Sequence, residues 1–259
     1  MTTIDEKRVY AEKAGSEVVL VATAMGVASV SVSADQIGRF GLAHRCTARD
    51  VAARPGEGAV AAEDGVVVTR GEDEFENAGF ADAVAVGYGT SLFAADASGT
   101  LAEHDDGEWV ERGTLGDVRA VDGDLVAAAD GVHRITSESV SNAGLDDARD
   151  VAAAGPYAAT ADGVFRLGNG WLDEISGAAS AVVADGDRAH AIVDDCLYER
   201  SADGWQERLT DTDAALVDVA HGDDAVYAIT ADATLFVDAG DGWRSRSLGL
   251  REVAGIAVP

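Results

Sequence analysis

The sequence restates one phrase, and this repetition limits what the chain can fold into more than any other feature. The clearest copy runs Tyr157-Ala-Ala-Thr-Ala-Asp-Gly163-Val-Phe-Arg-Leu and is followed by Gly170-Trp171. Related copies recur at intervals of 32–39 residues, centred on Gly26, Gly65, Gly99, Gly131, Gly163, Cys196 and Ala233. A period in this range, written in short apolar runs, is typical of a closed or stacked array of small β-sheets.

Each repeat divides into four short segments that predict strands. In the clearest repeat these segments begin at Asp150, Tyr157, Gly163 and Trp171. The breaks between segments hold Asp-Gly, Gly-Asn or Gly-Asp pairs, which accept the positive φ angles of tight hairpin turns. The chain has only three prolines, and no stretch shows a convincing helical period. We therefore predict an all-β fold, a β-propeller of seven four-stranded antiparallel blades. Six blades is the alternative, if the degenerate first or third repeat is not a true blade.

The repeats also predict how the ring is divided and closed. We expect a single propeller domain over residues 1–259, with an N-terminal extension at 1–15 and blades that start near residues 18, 48, 81, 116, 149, 179 and 216. The first repeat lacks a good first strand, whereas residues 251–259 resemble the first segment of the other repeats. The C-terminal strand is therefore predicted to pair into the first blade, which removes two open sheet edges.

The charge of the chain is strongly one-sided. Asp and Glu number 47 against 19 Lys and Arg, a net charge of −28, and only Lys7 and Lys13 are lysines. Such a surface repels itself unless salt screens it, so we interpret the acidity as adaptation to a salt-rich cytoplasm; recognition of a basic partner is the alternative. The acidity argues against binding nucleic acid or anionic membranes. With no apolar leader and no membrane-length apolar run, we expect a soluble, cytoplasmic protein.

The repeated phrase carries a family resemblance. The pattern Asp-Val-Ala-Ala, then Tyr-Ala-Ala-Thr-Ala-Asp-Gly-Val-Phe-Arg, then Gly-Trp resembles the blades of an uncharacterised family of haloarchaeal β-propellers. The resemblance covers residues 18–259 and implies a cytoplasmic, salt-adapted propeller, without implying an activity. The Asp-Gly and Gly-Trp pairs are only faintly similar to the Asp-box turns of sialidase-like propellers, so no sialidase chemistry is carried over.

An acidic residue near the start of the first strand of most repeats is the main candidate site. Since first strands line the central channel of a propeller, we expect an acidic ring at one channel mouth, formed by Asp50, Asp82, Asp117, Asp150, Asp218 and Glu252. Converging carboxylates suit Ca²⁺ or Mg²⁺, or a basic residue of a partner. The alternative, which we favour because the group recurs in nearly every repeat, is that each acid accepts backbone hydrogen bonds of its own turn.

The remaining motifs favour a binding function over catalysis. Trp109, Trp171, Trp205 and Trp243 recur at one blade position, which favours packing between blades over a ligand platform. Nucleophile, phosphate-loop and metalloprotease motifs are absent, and the five histidines show no metal-ligand spacing. We predict a non-catalytic scaffold with an unidentified protein partner and no required cofactor. The alternative is a hydrolase or lyase that uses the carboxylate ring with Arg149, Arg251, Tyr88 or Tyr157, with or without a divalent metal.

Overall fold

Seven separate four-stranded antiparallel sheets make up the protein, as seen in a computed structural model that describes residues 16–71, 74–137, 139–210 and 212–259. Within these residues the chain forms strands β1 to β28 and no α-helix. The predicted N-terminal extension at 1–15 lies outside the described residues. In each sheet the first strand contacts the first strands of the two neighbouring sheets, so the sheets surround a central channel as blades.

The strands of each blade follow one another in the chain, apart from the strand that closes the ring. Blade 1 contains β28 (Val253–Ala257), β1 (Ser16–Thr23), β2 (Gly26–Ser33) and β3 (Gln36–His44). Blade 2 contains β4 (Ala48–Arg54), β5 (Glu57–Ala62), β6 (Gly65–Thr69) and β7 (Phe75–Gly79). Blade 3 contains β8 (Ala83–Tyr88), β9 (Leu92–Asp96), β10 (Thr100–Asp105) and β11 (Glu108–Thr114). Blade 4 contains β12 (Val118–Asp122), β13 (Leu125–Ala128), β14 (Gly131–Ile135) and β15 (Val140–Gly144). Blade 5 contains β16 (Ala148–Ala152), β17 (Tyr157–Thr160), β18 (Gly163–Leu167) and β19 (Trp171–Ser176). Blade 6 contains β20 (Ala179–Asp185), β21 (Arg188–Val193), β22 (Cys196–Ser201) and β23 (Gly204–Leu209). Blade 7 contains β24 (Leu216–His221), β25 (Val226–Thr230), β26 (Thr234–Asp238) and β27 (Arg244–Ser247).

Strand β28 closes the ring by serving as the innermost strand of blade 1. It pairs antiparallel with β1, with Ala257 opposite Leu20 and Ile256 opposite Val21. The N-terminal and C-terminal parts of the chain therefore share one blade, and every blade has four strands. This confirms the seven-bladed architecture and its closure by the C-terminal strand, and it excludes the six-bladed alternative.

The core is divided among the seven seams between neighbouring blades. Buried apolar side chains form seven clusters, each built from two adjacent blades. Successive residues of a strand point to opposite sides of its sheet, so Leu20 packs toward blade 2 and Val21 toward blade 7. Because inner strands are buried on both sides, they read as continuous runs of Val, Ala, Leu and Ile in the sequence.

The four tryptophans join each blade to the blade before it. Each lies on or beside the outer strand of its own blade, and its indole N–H donates to the outer strand of the preceding blade. Trp109 donates to the Ala78 carbonyl at 2.8 Å and Trp171 to the Ala143 carbonyl at 2.8 Å. Trp205 donates to the Glu174 carboxylate and Trp243 to the Arg208 carbonyl. The packing interpretation of these residues is confirmed.

Other side chains occupy the tryptophan position in the remaining three blades. Phe75 of blade 2 stacks on His44 of blade 1, with ring centroids 5.2 Å apart. Val140 of blade 4 lies against Gly113 of blade 3. In blade 1 the position is held by Phe40, and the Arg246 guanidinium of blade 7 lies over its ring at 4.9 Å. Every seam therefore has a wedge near its outer edge, but only four wedges are tryptophan.

Candidate functional site

The central channel, with a volume of about 940 Å³, contains three of the six predicted acidic residues. Asp50, Asp150 and Asp218 lie on the first strands of blades 2, 5 and 7 and line the channel wall. The equivalent positions of the other four blades hold small residues, namely Ala85, Ala120, Ala181 and Gly255. At this level of the channel wall, three carboxylates are therefore separated by small side chains.

Each channel carboxylate links its own blade to the next one. In all three, one oxygen accepts from the following residue of the same strand at 2.8 Å, that is from Val51, Val151 or Val219. The other oxygen accepts from a backbone N–H of the next blade at 2.8–2.9 Å, that is from Val86, Val182 or Ile256. The three side chains therefore fasten blade 2 to blade 3, blade 5 to blade 6 and blade 7 to blade 1.

Available space limits where such an acid can stand. A side-chain carbon added to Gly255 would lie 2.9 Å from the Asp218 carboxylate, closer than packed atoms approach. An acid that reaches the next blade therefore needs a small residue at the equivalent position there. No two adjacent blades carry the acid. In a ring of seven blades, at most three blades can be chosen so that no two are adjacent, and three blades carry it.

Burial makes these carboxyl groups unusually basic. Removal from water raises the pKa of Asp50 to about 6 and that of Asp218 to about 7, and the backbone donors oppose the rise. Burial also raises the pKa of Asp150 well above its ordinary value, and the negative charges of Asp218 and Asp50 add to that effect. The three groups are close enough to influence one another, and they exchange protons nearer neutrality than an exposed aspartate does.

Asp82, Asp117 and Glu252, which the sequence analysis placed in the same ring, do not line the channel. Each stands in the turn directly before its first strand, with φ angles of 58°, 50° and 53°. Aspartate tolerates this left-handed conformation better than most residues because its side chain can bond to nearby backbone. These acids are therefore exposed turn residues, three positions before the channel position, and the six acids do not form one ring.

Two of these turn acids, Asp82 and Asp117, contact arginines of the first strands. Arg49 donates to the Asp82 carboxylate at 2.6 Å and to the Ala83 carbonyl of the next blade. Arg119 donates to Asp117 at 3.2 Å and also reaches Asp147 of the next blade. Arg149 donates to the Ala179 carbonyl of blade 6. The channel mouth where the first strands begin therefore carries arginines already bound to neighbouring blades.

A signal that separates the two groups of acids is present in the sequence. Every first strand has a β-branched residue directly after the channel position: Val51, Val86, Val121, Val151, Val182, Val219 and Ile256. Repeats aligned on this residue place only Asp50, Asp150 and Asp218 in the channel. Repeats aligned on the acid itself mix turn positions with channel positions, which is the reason for the incorrect ring.

The Ca²⁺ or Mg²⁺ allowed by the sequence analysis stays a prediction. Each of the three carboxylates already accepts hydrogen bonds from two backbone N–H groups. A cation in the channel would compete with these donors for the carboxylate oxygens. Across residues 16–71, 74–137, 139–210 and 212–259, no group of three His, Cys, Asp or Glu side chains is placed to hold a metal. The favoured alternative, backbone hydrogen bonds within each acid's own turn, is met only in part: the three channel acids accept backbone hydrogen bonds, but the donors lie on the first strands of their own and the next blade.

Two histidines that the sequence analysis treated separately lie together between blades 6 and 7. His190 Nδ1 is 2.9 Å from His221 Nε2, and His221 lines the channel mouth where the first strands end. Burial lowers the pKa of His190 to about 4 and that of His221 to about 3. Both rings are therefore neutral near pH 7, and the pair joins two blades as one more hydrogen bond across a seam.

The raised pKa of Asp218 predicts an unusual pH dependence of stability. The folded protein binds a proton at Asp218 more tightly than the unfolded chain does, so proton binding at Asp218 stabilises the fold. This stabilisation is complete below the ordinary pKa of 3.8 and is lost as the pH rises through about 7. Relative to Asp218→Asn, the wild type should lose roughly 3 kcal/mol of unfolding free energy between about pH 4.5 and pH 8, at about 1.4 kcal/mol per pKa unit. Urea unfolding of both proteins across this range measures the difference.

A matched substitution in the same blade serves as the control for this measurement. Asp224 lies in an exposed turn of the same blade, and Asp224→Asn makes the same change from acid to amide outside the channel. His190 and His221 are present in all three proteins, and their opposite pH effect cancels in the comparison. An Asp218→Asn difference that is flat with pH, or that grows toward pH 8, would contradict the assigned burial of this carboxylate.

Comparisons with known proteins agree with this architecture. A family model described as "Beta-prop_HVO_0234:-like, beta propeller" matches residues 3–259. No curated protein matches the chain. Within the part of the chain that the structure describes, no helix is long and apolar enough to cross a membrane.

Solved structures of other propellers are similar to this one in fold. The computationally designed Ika8 protein superposes with a TM-score of 0.64 at 19% identity, over 92% of this chain and 86% of that one. The WD40 β-propeller domain of Doa1 gives a TM-score of 0.64 at 12% identity, over 82% and 86% of the two chains. YCF48 bound to D1 peptide gives 0.58 at 15% identity, over 77% and 82%. At these identities the similarity shows the fold alone.

Proposed function

The chain belongs to the HVO_0234-like β-propeller family, and from this premise we propose that it is a non-catalytic scaffold that binds another protein in a salt-rich cytoplasm. The fold supplies a rigid disc with a channel whose acids are engaged in joining blades. YCF48, a propeller of similar fold, has been solved bound to D1 peptide, which supports peptide binding as a use of this architecture.

The observation that carries this proposal is a concentration of exposed apolar side chains on one blade. Five large apolar side chains are exposed in the described residues, and three belong to blade 1: Met25 at 59%, Leu42 at 41% and Phe40 at 36%. Leu42 and Phe40 stand two residues apart on β3 and face the same side. Exposed apolar side chains grouped on one blade, rather than scattered singly, are typical of a surface that contacts another protein.

Three arginines without a carboxylate partner lie beside these apolar side chains. Arg45 follows β3, Arg246 lies on the adjacent β27 and Arg251 precedes β28. We call these three arginines together with Met25, Phe40 and Leu42 the blade 1 patch. Arginine and apolar side chains are a combination enriched in the binding surfaces of proteins.

A pull-down with surface variants tests the proposed function. Tagged wild type, Phe40→Ser/Leu42→Ser and a control, Val110→Ser/Leu172→Ser, are incubated with lysate of a halophilic host held at roughly 2 M KCl so that the charge stays screened. The control removes exposed apolar side chains from blades 3 and 5. We expect the wild type and the control to retain one stoichiometric protein that the blade 1 variant loses. Identical recovery from all three, or no bound protein, would overturn the proposal.

A further inference from the structure

All of the blade 1 patch except Met25 stands in two stretches that contain arginines but no acidic residue. Residues 36–49 and residues 242–251 contain no Asp or Glu, although 47 of the 259 residues of the chain are acidic. The two segments meet in space because β3 of blade 1 lies beside β27 of blade 7. Arg246 donates to the backbone carbonyls of Ile37 and Gly38 and covers the Phe40 ring. The fold thus assembles one basic, apolar surface on an otherwise acidic protein.

The arginines of this surface are free of internal ion pairs. Among the described residues, only Arg39, Arg45, Arg166, Arg188, Arg246 and Arg251 make no ion pair with a carboxylate. Arg166 and Arg188 instead donate to backbone carbonyls between other strands. Arg45 and Arg251 are exposed. With so many acids available elsewhere on the chain, their charges remain open to a partner.

The apolar and basic parts of the surface are continuous. The Cδ1 of Leu42 and the Cα of Arg45 both lie about 3 Å from the position of a side chain at Gly26, beside Met25. The backbone N–H of Ala24 donates to the carbonyl of Glu252, which brings the β1–β2 turn next to Arg251. The patch therefore runs from this turn along the outer edge of blade 1 to Phe40 and Arg246.

We infer that the blade 1 patch binds an acidic protein segment that also carries apolar side chains. The inference rests on the proposed function and names the class of partner for the same surface. The open arginines select carboxylates, and Met25, Phe40 and Leu42 supply apolar contact area. Both parts are required in concentrated salt, where the Debye length is about 3 Å and only groups in direct contact still attract each other.

A nucleic acid and a second copy of this chain fit the surface less well. Binding of phosphates by arginines weakens steeply with salt because counterions are released, so a surface built on charge alone would fail at high salt. A second copy in a two-fold contact would place the arginines of one patch directly against the arginines of the other, where salt screens least. A short acidic segment contacts the patch alone.

Titration of labelled peptides tests the inference directly. The probe is a short fluorescent peptide of Asp and Glu residues with a Phe and a Leu two positions apart. The comparison peptide replaces every acid by its amide, and binding is followed by anisotropy at roughly 2 M KCl. We expect the acidic peptide to bind the wild type at least about tenfold more tightly than its amide counterpart, a difference of about 1.4 kcal/mol.

Variants of the protein locate the binding site. Arg45→Glu/Arg251→Glu changes two exposed arginines of the patch that make no hydrogen bond or ion pair with other described residues, and we expect at least about a tenfold loss of affinity for the acidic peptide. The control, Arg70→Glu/Arg134→Glu, reverses two charges in exposed ion pairs of blades 2 and 4, which contribute little to stability, and should bind like the wild type.

Three outcomes would overturn the inference. These are absence of peptide binding, equal binding of the acidic and amide peptides, and self-association of the protein that Arg45→Glu/Arg251→Glu abolishes. The pull-down result separates this failure from failure of the proposed function. If Phe40→Ser/Leu42→Ser loses the captured protein and the acidic peptide does not bind, the scaffold function is supported and only the acidic class of partner is wrong.

Discussion

Deletion of residues 251–259 is expected to abolish the cooperative thermal unfolding of this protein. The deletion removes β28, the innermost strand of blade 1, and exposes the edge of β1 to solvent. It also removes Ile256, whose side chain is buried between blades 7 and 1 and whose backbone N–H donates to Asp218. Burial of one such side chain contributes about 2 kcal/mol, and loss of one of the two donors to a buried carboxylate adds a further loss of about 1–3 kcal/mol.

A circular permutant separates ring closure from simple loss of residues. Since Ala257 pairs with Leu20, the end of β28 lies a few residues from the start of β1, and a short linker can join Pro259 to Ser16. A chain that begins at residue 251 and ends at residue 250 then keeps β28 as part of a local hairpin. We expect it to unfold cooperatively like the wild type, whereas the deletion variant aggregates. A deletion variant that stays monomeric with an unchanged Tm would contradict closure by β28.

Removal of salt is expected to produce the second large loss of stability. The 259-residue chain carries a net charge of −28, and lowering the salt from about 1 M to about 0.1 M lengthens the Debye length from about 3 Å to about 10 Å. Repulsion then extends between side chains that were screened from each other. We expect the Tm to fall by at least about 10 °C, which for a chain of this length corresponds to roughly 3–5 kcal/mol.

Neutral substitutions on the surface test whether charge is the cause. Five exposed acids without an observed ion pair are replaced by their amides: Asp105, Asp106, Glu108, Glu111 and Asp203. This variant should need less KCl than the wild type to reach the same Tm, because its self-repulsion is smaller. A Tm that is flat from low to multimolar KCl in the wild type would remove the basis for a salt-rich cytoplasm.

The architecture was predictable because each copy of the repeat folds into the same four-stranded unit. Four segments separated by turn residues specify a blade, and the matching segment at residues 251–259 indicates which strand completes the first repeat. The wedge position was predictable where it is tryptophan. It was not recognised where Phe40, Phe75 or Val140 fills it, because these residues share only their place on the outer strand and their contact with the preceding blade.

The candidate site was predictable only in part. The acids of the first repeated segment drew attention to the channel, but Asp82, Asp117 and Glu252 proved to be turn residues with positive φ angles. A difference of three residues separates a side chain in the channel from one on the outer surface of a turn. The pairing of His190 with His221 was also missed, because their contact joins different strands of neighbouring blades.

The sequence by itself determined the repeat of four-stranded units, the order of their strands and the excess of acidic residues, since these depend on residue pattern and composition along the chain. It allowed six or seven blades, and the structure decided for seven. Only the tertiary structure decided which residues act together. Burial raises the pKa of Asp218 because the ring removes it from water and places two backbone donors against it. The blade 1 patch exists because ring closure brings residues 36–49 against residues 242–251, segments about two hundred positions apart in the sequence.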